Sequence, residues 1–156
     1  MKDIFGTAIL DYQLGNYSED LITSTSISEA DSLPLPYLFR NYSEMPCLEK
    51  TALKLSRGTV LDIGCGAGSH SLYLKSKGLK VKSIDISAGA IEACRLRGLR
   101  QAHVLNVMDE TSSFDTLLLL MNGSGVFQSL ANTPFVLSHL KKLINPDGQI
   151  LIDSSD

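Results

Sequence analysis

Residues 59–68 read Thr-Val-Leu-Asp-Ile-Gly-Cys-Gly-Ala-Gly, and this segment is the most informative part of the sequence. Its first half is apolar and β-branched, which predicts a short buried strand. Glycines at three alternate positions follow at once, and because glycine lacks a Cβ they let a ligand approach the main chain closely. A helix predicted over residues 69–77 points its N-terminus and its free N–H groups at the same place. The pattern therefore predicts a strand, a ligand-binding loop and a helix in succession.

The spacing of the glycines discriminates between ligands. Gly64, Gly66 and Gly68 form G-x-G-x-G, whereas a dinucleotide-binding turn has the form G-x-G-x-x-G. Asp62 precedes the first glycine by two residues, and a carboxylate there would repel a pyrophosphate but suits a ligand that carries an ammonium or sulfonium charge. Asp85 lies 21 residues beyond Gly64 and closes an apolar run. An acidic residue at that distance can accept both hydroxyls of a ribose at the tip of the neighbouring strand.

Two segments together resemble the class I S-adenosylmethionine (SAM)-dependent methyltransferases, namely residues 60–68 (VLDIGCGAG) and residues 83–87 (SIDIS). The resemblance covers roughly residues 47–153. It implies a parallel sheet with helices on both faces and SAM lying across the strand tips. With the residue pattern, it predicts the following cofactor-binding residues: Asp62, Gly64, Cys65, Gly66, Gly68, Asp85, Ile86, Asn106, Val107, Met121 and Asn122.

Some of these roles come from the resemblance alone. Asn106, or Asp109 a little later, stands where the family often has an acidic residue that bonds the adenine amino group, and Val107 would lie against the purine. Met121 and Asn122 would lie beside the sulfonium. The segment after Met121 lacks an Asn-Pro-Pro-Tyr type motif, which argues against amino methylation of nucleic-acid bases or of glutamine.

Apolar runs alternate with helical patterns along the rest of the chain, which predicts an α/β, Rossmann-like, doubly wound and mostly parallel sheet. Strands are expected at residues 60–63, 81–85, 102–107, 116–121 and 149–153. The resemblance implies the strand order 3-2-1-4-5. We expect residues 46–156 to form the SAM-binding domain, apparently truncated after its fifth strand.

Residues 1–45 are predicted to be an N-terminal helical and aromatic extension. A helix is expected over residues 4–14, ending at Gly15, and residues 17–32 are expected to form a loop or a short helix. Residues 37–42 (YLFRNY) are unusually aromatic. They are interpreted as core packing of the extension onto the sheet, or as a lid over the cofactor and the acceptor.

Composition excludes several classes of function. The net charge of −3 gives no basic stripe, so a nucleic-acid substrate is not expected. No apolar run approaches the length of a membrane span and no signal peptide is recognisable, which predicts a cytoplasmic protein without a membrane partner. The three cysteines lack C-x-x-C spacing, so neither a disulfide framework nor a metal site is predicted. A thiol beside a helix N-terminus can be reactive, but Cys65 is interpreted as a small side chain filling a tight loop. Of the three histidines, only His70 is expected near the pocket.

The sequence thus predicts a SAM-dependent methyltransferase, or its SAM-binding portion, that acts on an unidentified small-molecule acceptor. Two alternatives stay open, an NAD(P)-dependent oxidoreductase and a non-catalytic binding module with the same fold. No catalytic base is predicted. Because the fifth strand would present an unprotected edge, we also expect self-association through the C-terminal strand.

Overall fold

The computed structural model describes residues 2–17, 19–23 and 31–154. The N-terminal extension, called the N-terminal segment below, precedes the central sheet along the chain. The helices are α1 (Ile4–Gln13), α2 (Leu35–Leu38), α3 (Cys47–Leu55), α4 (Ser69–Ser76), α5 (Ala88–Leu96) and α6 (Thr133–Lys142). The strands are β1 (Leu21–Thr23), β2 (Asp31–Leu33), β3 (Thr59–Ile63), β4 (Lys80–Asp85), β5 (Ala102–Val104), β6 (Phe114–Leu119) and β7 (Ile144–Ile152).

Five strands form the central sheet, in the order β5-β4-β3-β6-β7, and every neighbouring pair is parallel. Counted over these five strands alone, this is the order 3-2-1-4-5 that the resemblance implied. An α-helix joins β3 to β4, β4 to β5 and β6 to β7, whereas β5 is joined to β6 by a segment that holds only a short 3-10 helix over Val107–Asp109. The α/β, Rossmann-like fold class is therefore confirmed.

Both faces of the sheet are buried, because successive side chains of a strand point to opposite faces. Leu61 and Leu117 belong to a core that also contains Leu140 of α6. On the opposite face, Val60 and Leu118 pack in a second core. The apolar run in β6, which is fully buried from Thr116 to Leu119, is thus the middle of the sheet, as its sequence indicates.

The N-terminal segment shares a core with the sheet domain. Ile9 of α1 and Leu35 and Leu38 of α2 are buried against Ala67 and Ala90, which belong to the glycine loop and to α5. The expectation of a loop or short helix over residues 17–32 was wrong for its described part. Here β1 and β2 pair antiparallel with Leu21 opposite Leu33, and both leucines pack against this core; residues 18 and 24–30 lie outside the described residues.

A single carboxylate caps two helices where α1 meets α5. Asp3 accepts from the backbone N–H of Gly6 at 2.9 Å, and it also accepts from the Ser87 hydroxyl at 2.9 Å and from the N–H of Gly89 at 3.1 Å. The two helices approach closely at this point, since a Cβ on Gly89 would lie 2.3 Å from the Gly6 carbonyl oxygen. Asp3 therefore fastens α1 beside the tip of β4.

Replacing Asp3 by alanine is expected to lower the free energy of unfolding by about 1–2 kcal/mol, because two helix N-termini lose an acceptor. Burial raises the pKa of Asp3, but the hydrogen bonds from Gly89, Gly6 and Ser87 outweigh it and the net pKa is lowered. This stabilisation is therefore present above the unfolded pKa of about 4 and is lost as the pH falls through the lower folded value. Urea unfolding from pH 7 to pH 3 measures it. An Asp11→Ala variant on the exposed side of α1 is the control, and a deficit in Asp3→Ala that persists unchanged at pH 3 would contradict the assignment.

The last strand is longer than expected. β7 begins at Ile144, not at residue 149, and Ile144 pairs with Phe114 before residues 145–148 leave the ladder and Gln149 resumes it opposite Thr116. The predicted turn at residues 145–148 is therefore an excursion within the strand. In the described part of the chain, β7 pairs on one side only, with β6. Self-association through its other edge stays a prediction.

Candidate functional site

Two cavities meet at the carboxyl ends of the sheet strands. The first, of about 430 Å³, lies over the tips of β3, β4 and β6, and the second, of about 200 Å³, lies between the glycine loop and the N-terminal segment. Gly64, Leu120 and Met121 line both cavities. An elongated ligand can therefore pass from one cavity to the other across Gly64.

The glycine loop divides into two kinds of position. Gly64 and Gly66 have φ angles of +72° and +51°, and a Cβ on either would meet no atom of the protein within 4 Å. These two glycines line the cavities and leave room for a ligand. Gly68 lines neither cavity; its φ is +81°, and a Cβ there would lie 2.5 Å from Leu99 and 2.9 Å from the Cys94 sulfur. Gly68 therefore lets the start of α4 pack closely against Cys94 of α5 and against Leu99.

Asp85 joins the tip of β4 to the glycine loop. Its carboxylate accepts from the N–H of Gly66 at 3.0 Å and from the N–H of Ser87 at 2.9 Å, and the residue lines the first cavity. A carboxylate has about four acceptor positions, so Asp85 can accept from two further donors at the cavity. Ile86, which is 75% exposed, lines the same cavity and offers an apolar surface.

Asp62 is not at the surface of either cavity. It is 2% exposed and accepts from the Ser71 hydroxyl at 2.6 Å, which is itself 2.7 Å from the Ser83 hydroxyl. Burial raises the pKa of Asp62. The reason for this placement is the alternation along β3, which sets Asp62 on the side covered by α4 with Val60. In the described residues Asp62 ties β3 to α4 and, through Ser71, to β4, and it makes no surface for the positive charge that we expected it to face.

Cys65 lines the second cavity but is buried, with its sulfur 3.9 Å from the Cys94 sulfur. The interaction with Cys94 and burial both raise the pKa of the Cys65 thiol, so a reactive thiolate is disfavoured. The Cys94 thiol donates to the carbonyl oxygen of Gly66 at 3.1 Å. The two cysteines therefore fill and brace the loop, in agreement with the packing interpretation.

Strand β5 was expected to run to residue 107 but ends at Val104, because Asn106 caps a short 3-10 helix over Val107–Asp109. The Asn106 side-chain oxygen accepts from the N–H of Met108 at 3.0 Å. Asn106 and Val107 line the first cavity, whereas Asp109 lines neither of the two cavities. Of the two candidates for the adenine contact, Asn106 is thus the one at the cavity.

Met121 and Asn122, which follow β6, form part of the wall of the first cavity. Both have positive φ angles, +61° and +65°, which side-chain-bearing residues seldom adopt. The carboxylate of Asp153, at the end of β7, accepts from the N–H of Met121 and from the N–H of Gly123, each at 2.9 Å. Asp153 thus holds the strained turn in place. The sequence analysis missed this role, since nothing near residue 153 indicates a partner 32 residues earlier.

Replacing Asp153 by alanine leaves two backbone donors of the turn without their acceptor, which is expected to cost about 1–3 kcal/mol of unfolding free energy. Because Met121 lines both cavities, ligand affinity is expected to fall as well. Asp153→Asn, which keeps one acceptor oxygen, should lie between the two. Thermal unfolding and calorimetric titration measure these effects, and an alanine variant with unchanged affinity would show that the turn keeps its shape without Asp153.

A buried polar cluster borders the second cavity. One carboxylate oxygen of Glu49, in α3, accepts a hydrogen bond from the Arg40 guanidinium. The other oxygen lies 2.7 Å from the Nε2 atom of His70. All three residues are less than 10% exposed, and Arg40 and His70 line the cavity. Burial raises the pKa of Glu49, but the bonds from His70 and Arg40 outweigh it and the net pKa is lowered, so the carboxylate stays ionised. Of the three, the sequence indicated only His70.

A further cavity, of about 800 Å³, lies at the opposite end of the sheet, at the amino ends of β3, β4 and β6. It is larger than either of the first two cavities, but none of the predicted site residues lines it. Nothing of the glycine loop reaches it, so the candidate site is the pair of cavities at the carboxyl ends.

A family model described as a methyltransferase domain matches residues 61–152, which include the glycine loop and the tips of all five sheet strands. The chain belongs to the class I SAM-dependent methyltransferases. A crystal structure of a SAM-dependent methyltransferase from Bacteroides fragilis, in complex with S-adenosyl-L-homocysteine (SAH), is 43% identical with a TM-score of 0.93. That likeness covers 99% of this chain and 65% of the other.

Curated methyltransferases of this family are more distant. A malonyl-[acyl-carrier protein] O-methyltransferase from Serratia marcescens is 26% identical over 61% of this chain and 37% of its own length. A ubiquinone biosynthesis O-methyltransferase from Xanthomonas oryzae pv. oryzae is 25% identical over 65% of this chain and 45% of its own length. The chain thus matches less than half the length of these two relatives.

Two absences complete the description of this methyltransferase domain. In residues 2–17, 19–23 and 31–154, no helix combines the length and the apolar character needed to cross a lipid bilayer. Across the same residues, no group of three or more histidine, cysteine, aspartate and glutamate side chains is arranged to hold a metal ion.

Proposed function

We propose that this chain binds SAM across the two cavities and transfers its methyl group to a small-molecule acceptor. The observation that carries the proposal is the junction of Gly66 and Asp85, in which the N–H of a glycine with open space at its Cβ position donates to the Asp85 carboxylate at 3.0 Å. The junction supports the proposal because a loop that a ligand can approach closely adjoins a carboxylate able to accept from two hydroxyl groups. A site for SAM needs both features, because its nucleoside part and its amino-acid part are joined in one short molecule.

The first cavity suits the adenosine. Asp85 supplies the acceptor for the ribose hydroxyls, and the apolar side chains of Ile86 and Val107 offer surfaces for the base. Asn106 lies at the same cavity and its amide can meet the polar edge of adenine. The second cavity then receives the amino-acid part, on the far side of Gly64.

The nicotinamide alternative is disfavoured by the loop itself. A pyrophosphate needs the longer G-x-G-x-x-G turn, and the three glycines here are spaced as G-x-G-x-G. The two curated relatives described above are named methyltransferases, and the similar Bacteroides fragilis methyltransferase holds SAH. A binding module without catalysis has no specific observation in its favour.

SAM supplies a methyl group that its positively charged sulfur has already activated. Bound SAM would supply this methyl group to the acceptor's lone pair, and its sulfur would keep the electron pair of the broken carbon–sulfur bond and leave as SAH. The residues of this chain contribute by orienting the reactants and excluding water. Leu120 and Met121, which line both cavities, are placed to do so where the two cavities meet.

A small-molecule acceptor is favoured by charge. The net charge of −3 provides no general attraction for a nucleic acid. Two of the matched relatives are named as O-methyltransferases, of malonyl-[acyl-carrier protein] and in ubiquinone biosynthesis. These names support an oxygen nucleophile on a small or carrier-bound molecule as the first class to test.

The N-terminal segment is proposed to cover the amino-acid end of the site, in the sense of the lid expected from its sequence. Phe5 of α1, Leu33 of β2 and Leu38 of α2 line the second cavity. The segment is also part of the core, through Ile9 and Leu35. We therefore propose that the segment forms a fixed wall of the second cavity.

Calorimetric titration with SAM, SAH and NAD⁺ tests the cofactor. We expect SAM and SAH to bind and NAD⁺ not to bind, and the reverse result would overturn the proposal. Incubation with methyl-labelled SAM and a cell extract, separated into small-molecule, protein and RNA fractions, tests the acceptor class. Label in the small-molecule fraction is expected, and SAM binding with no labelled fraction would favour the non-catalytic module.

A further inference from the structure

We propose that the cavity at the amino ends of the sheet strands binds a small amphiphilic anion, a molecule with an apolar body and an acidic group such as a carboxylate or a sulfonate. This cavity, of about 800 Å³, is called the amino-end groove below. It lies at the opposite end of the sheet from the two cavities assigned to the cofactor. The proposal therefore goes beyond the proposed function and does not depend on it.

The groove lies where one crossover of the sheet lacks an α-helix. Between β5 and β6 the chain forms only the 3-10 helix over Val107–Asp109. Lys80 and Lys82 of β4 are in register with Thr59 and Leu61 of β3, so the two lysines lie on the face of the sheet where Leu61 packs with α6. Both lysines line the groove. The short crossover thus leaves the amino end of β4 open on this face.

The inner wall of the groove is apolar. Leu99 and Phe114 are less than 10% exposed and line it, as do the half-buried side chains of Leu79 and Val81. A concave site of this volume with apolar walls is typical of sites that bind small molecules. An apolar body placed against these side chains is removed from water, which favours binding.

The rim of the groove is cationic. Among the described residues that line it, none is an aspartate or a glutamate, and four carry a positive charge: Lys75, Lys80, Lys82 and Arg100. Lys82 is paired with Glu110 at 2.6 Å, and Lys75 donates to a backbone carbonyl oxygen and keeps its charge uncompensated. Lys80 and Arg100 are exposed and form no ion pair within the part of the chain that the structure describes. These two side chains are therefore available to an anion.

Charge and shape together define the class of ligand. The whole chain has a net charge of −3, so the positive charge of the groove is a local feature. Complementary charge favours an anion there. The apolar wall beside the cationic rim favours an anion with an apolar body over inorganic phosphate, which has no apolar surface to bury. It also favours such an anion over a nucleic acid, which presents its phosphates outward.

The test uses two dyes that share the same aromatic rings. Anilinonaphthalene sulfonate (ANS) carries one negative charge, and N-phenylnaphthylamine is its neutral counterpart. Both are titrated by fluorescence into the whole chain, as wild type and as the double variant Lys80→Met with Arg100→Met. The control is the double variant Lys141→Met with Lys142→Met, which removes the same charge from exposed positions that do not line the groove.

The groove variant should bind ANS about 10-fold more weakly than the wild type, the value of two exposed charge contacts. It should bind the neutral dye within about 2-fold of the wild type, because the apolar wall is unchanged. The control variant should bind both dyes as the wild type does. Amide chemical shifts of the isotope-labelled wild type locate the dye, and changes are expected at residues 79–83 and 98–101.

Several results would overturn the inference. Equal losses of ANS affinity in the two double variants would indicate a general attraction of charge, and equal losses for the two dyes in the groove variant would indicate a changed shape. ANS-induced shifts confined to the glycine loop would place the dye in the cofactor cavities. A wild type without saturable ANS binding would show that the groove takes no ligand of this class. None of these results bears on SAM binding, which is measured separately.

Discussion

Replacing Gly66 by valine is expected to abolish SAM binding, with a loss of at least about 100-fold in affinity. Gly66 has a φ of +51°, a region that a β-branched side chain adopts only under strain. The side chain would also extend into open space that we assign to the ligand, since a Cβ there meets no atom of the protein within 4 Å. Movement of the loop would in addition weaken the hydrogen bond from Gly66 to Asp85.

Strain and lost ligand space can be separated with a matched variant. Gly78 also has a positive φ, of +83°, and also has nothing within 4 Å of its Cβ position, but it follows the end of α4 and lines neither site cavity. Gly78→Val should lose stability without losing affinity in the folded protein. Calorimetric titration below the melting temperature of each variant measures this. SAM binding by Gly66→Val at the wild-type dissociation constant would remove the loop from the site.

Replacing Asp85 by alanine is expected to weaken SAM binding by about 2 kcal/mol, or roughly 30-fold. Two effects add: the ribose hydroxyls lose a charged acceptor, and the N–H groups of Gly66 and Ser87 lose the oxygens that position them. Asp85→Asn keeps one oxygen acceptor and should lose less. The measurement is titration with SAM and SAH.

The control for Asp85 is Glu92→Ala, which removes an exposed carboxylate from α5 of the same domain. It should bind SAM as the wild type does. If Asp85→Ala bound SAM normally, the carboxylate would serve only to brace the loop. Urea unfolding of the same variants shows how much of the effect belongs to that bracing.

The fold class, the strand order of the central sheet and the glycine loop could all be predicted from the sequence. The reason is that these signals are local: apolar runs of strand length, glycines two residues apart and a polar residue at each strand end are all visible within a few positions. Parallel strands then bring their carboxyl ends to one edge, so Asp85, Asn106 and Met121 could be predicted to lie near one another. Each of the three lines the first cavity.

The role of each polar side chain, in contrast, depends on which elements pack together in the folded chain. Asp62 has the right spacing for a ligand, but α4 covers it and Ser71 bonds it. Asp153 gains its role from Met121, 32 residues away, and Glu49 from His70, 21 residues away. Such pairings depend on which elements pack together, and no short pattern records them. Strand alternation and helix packing bury one side chain and leave its neighbour at a cavity. For this reason the candidate site could be located from the sequence, but not all of its residues could be assigned.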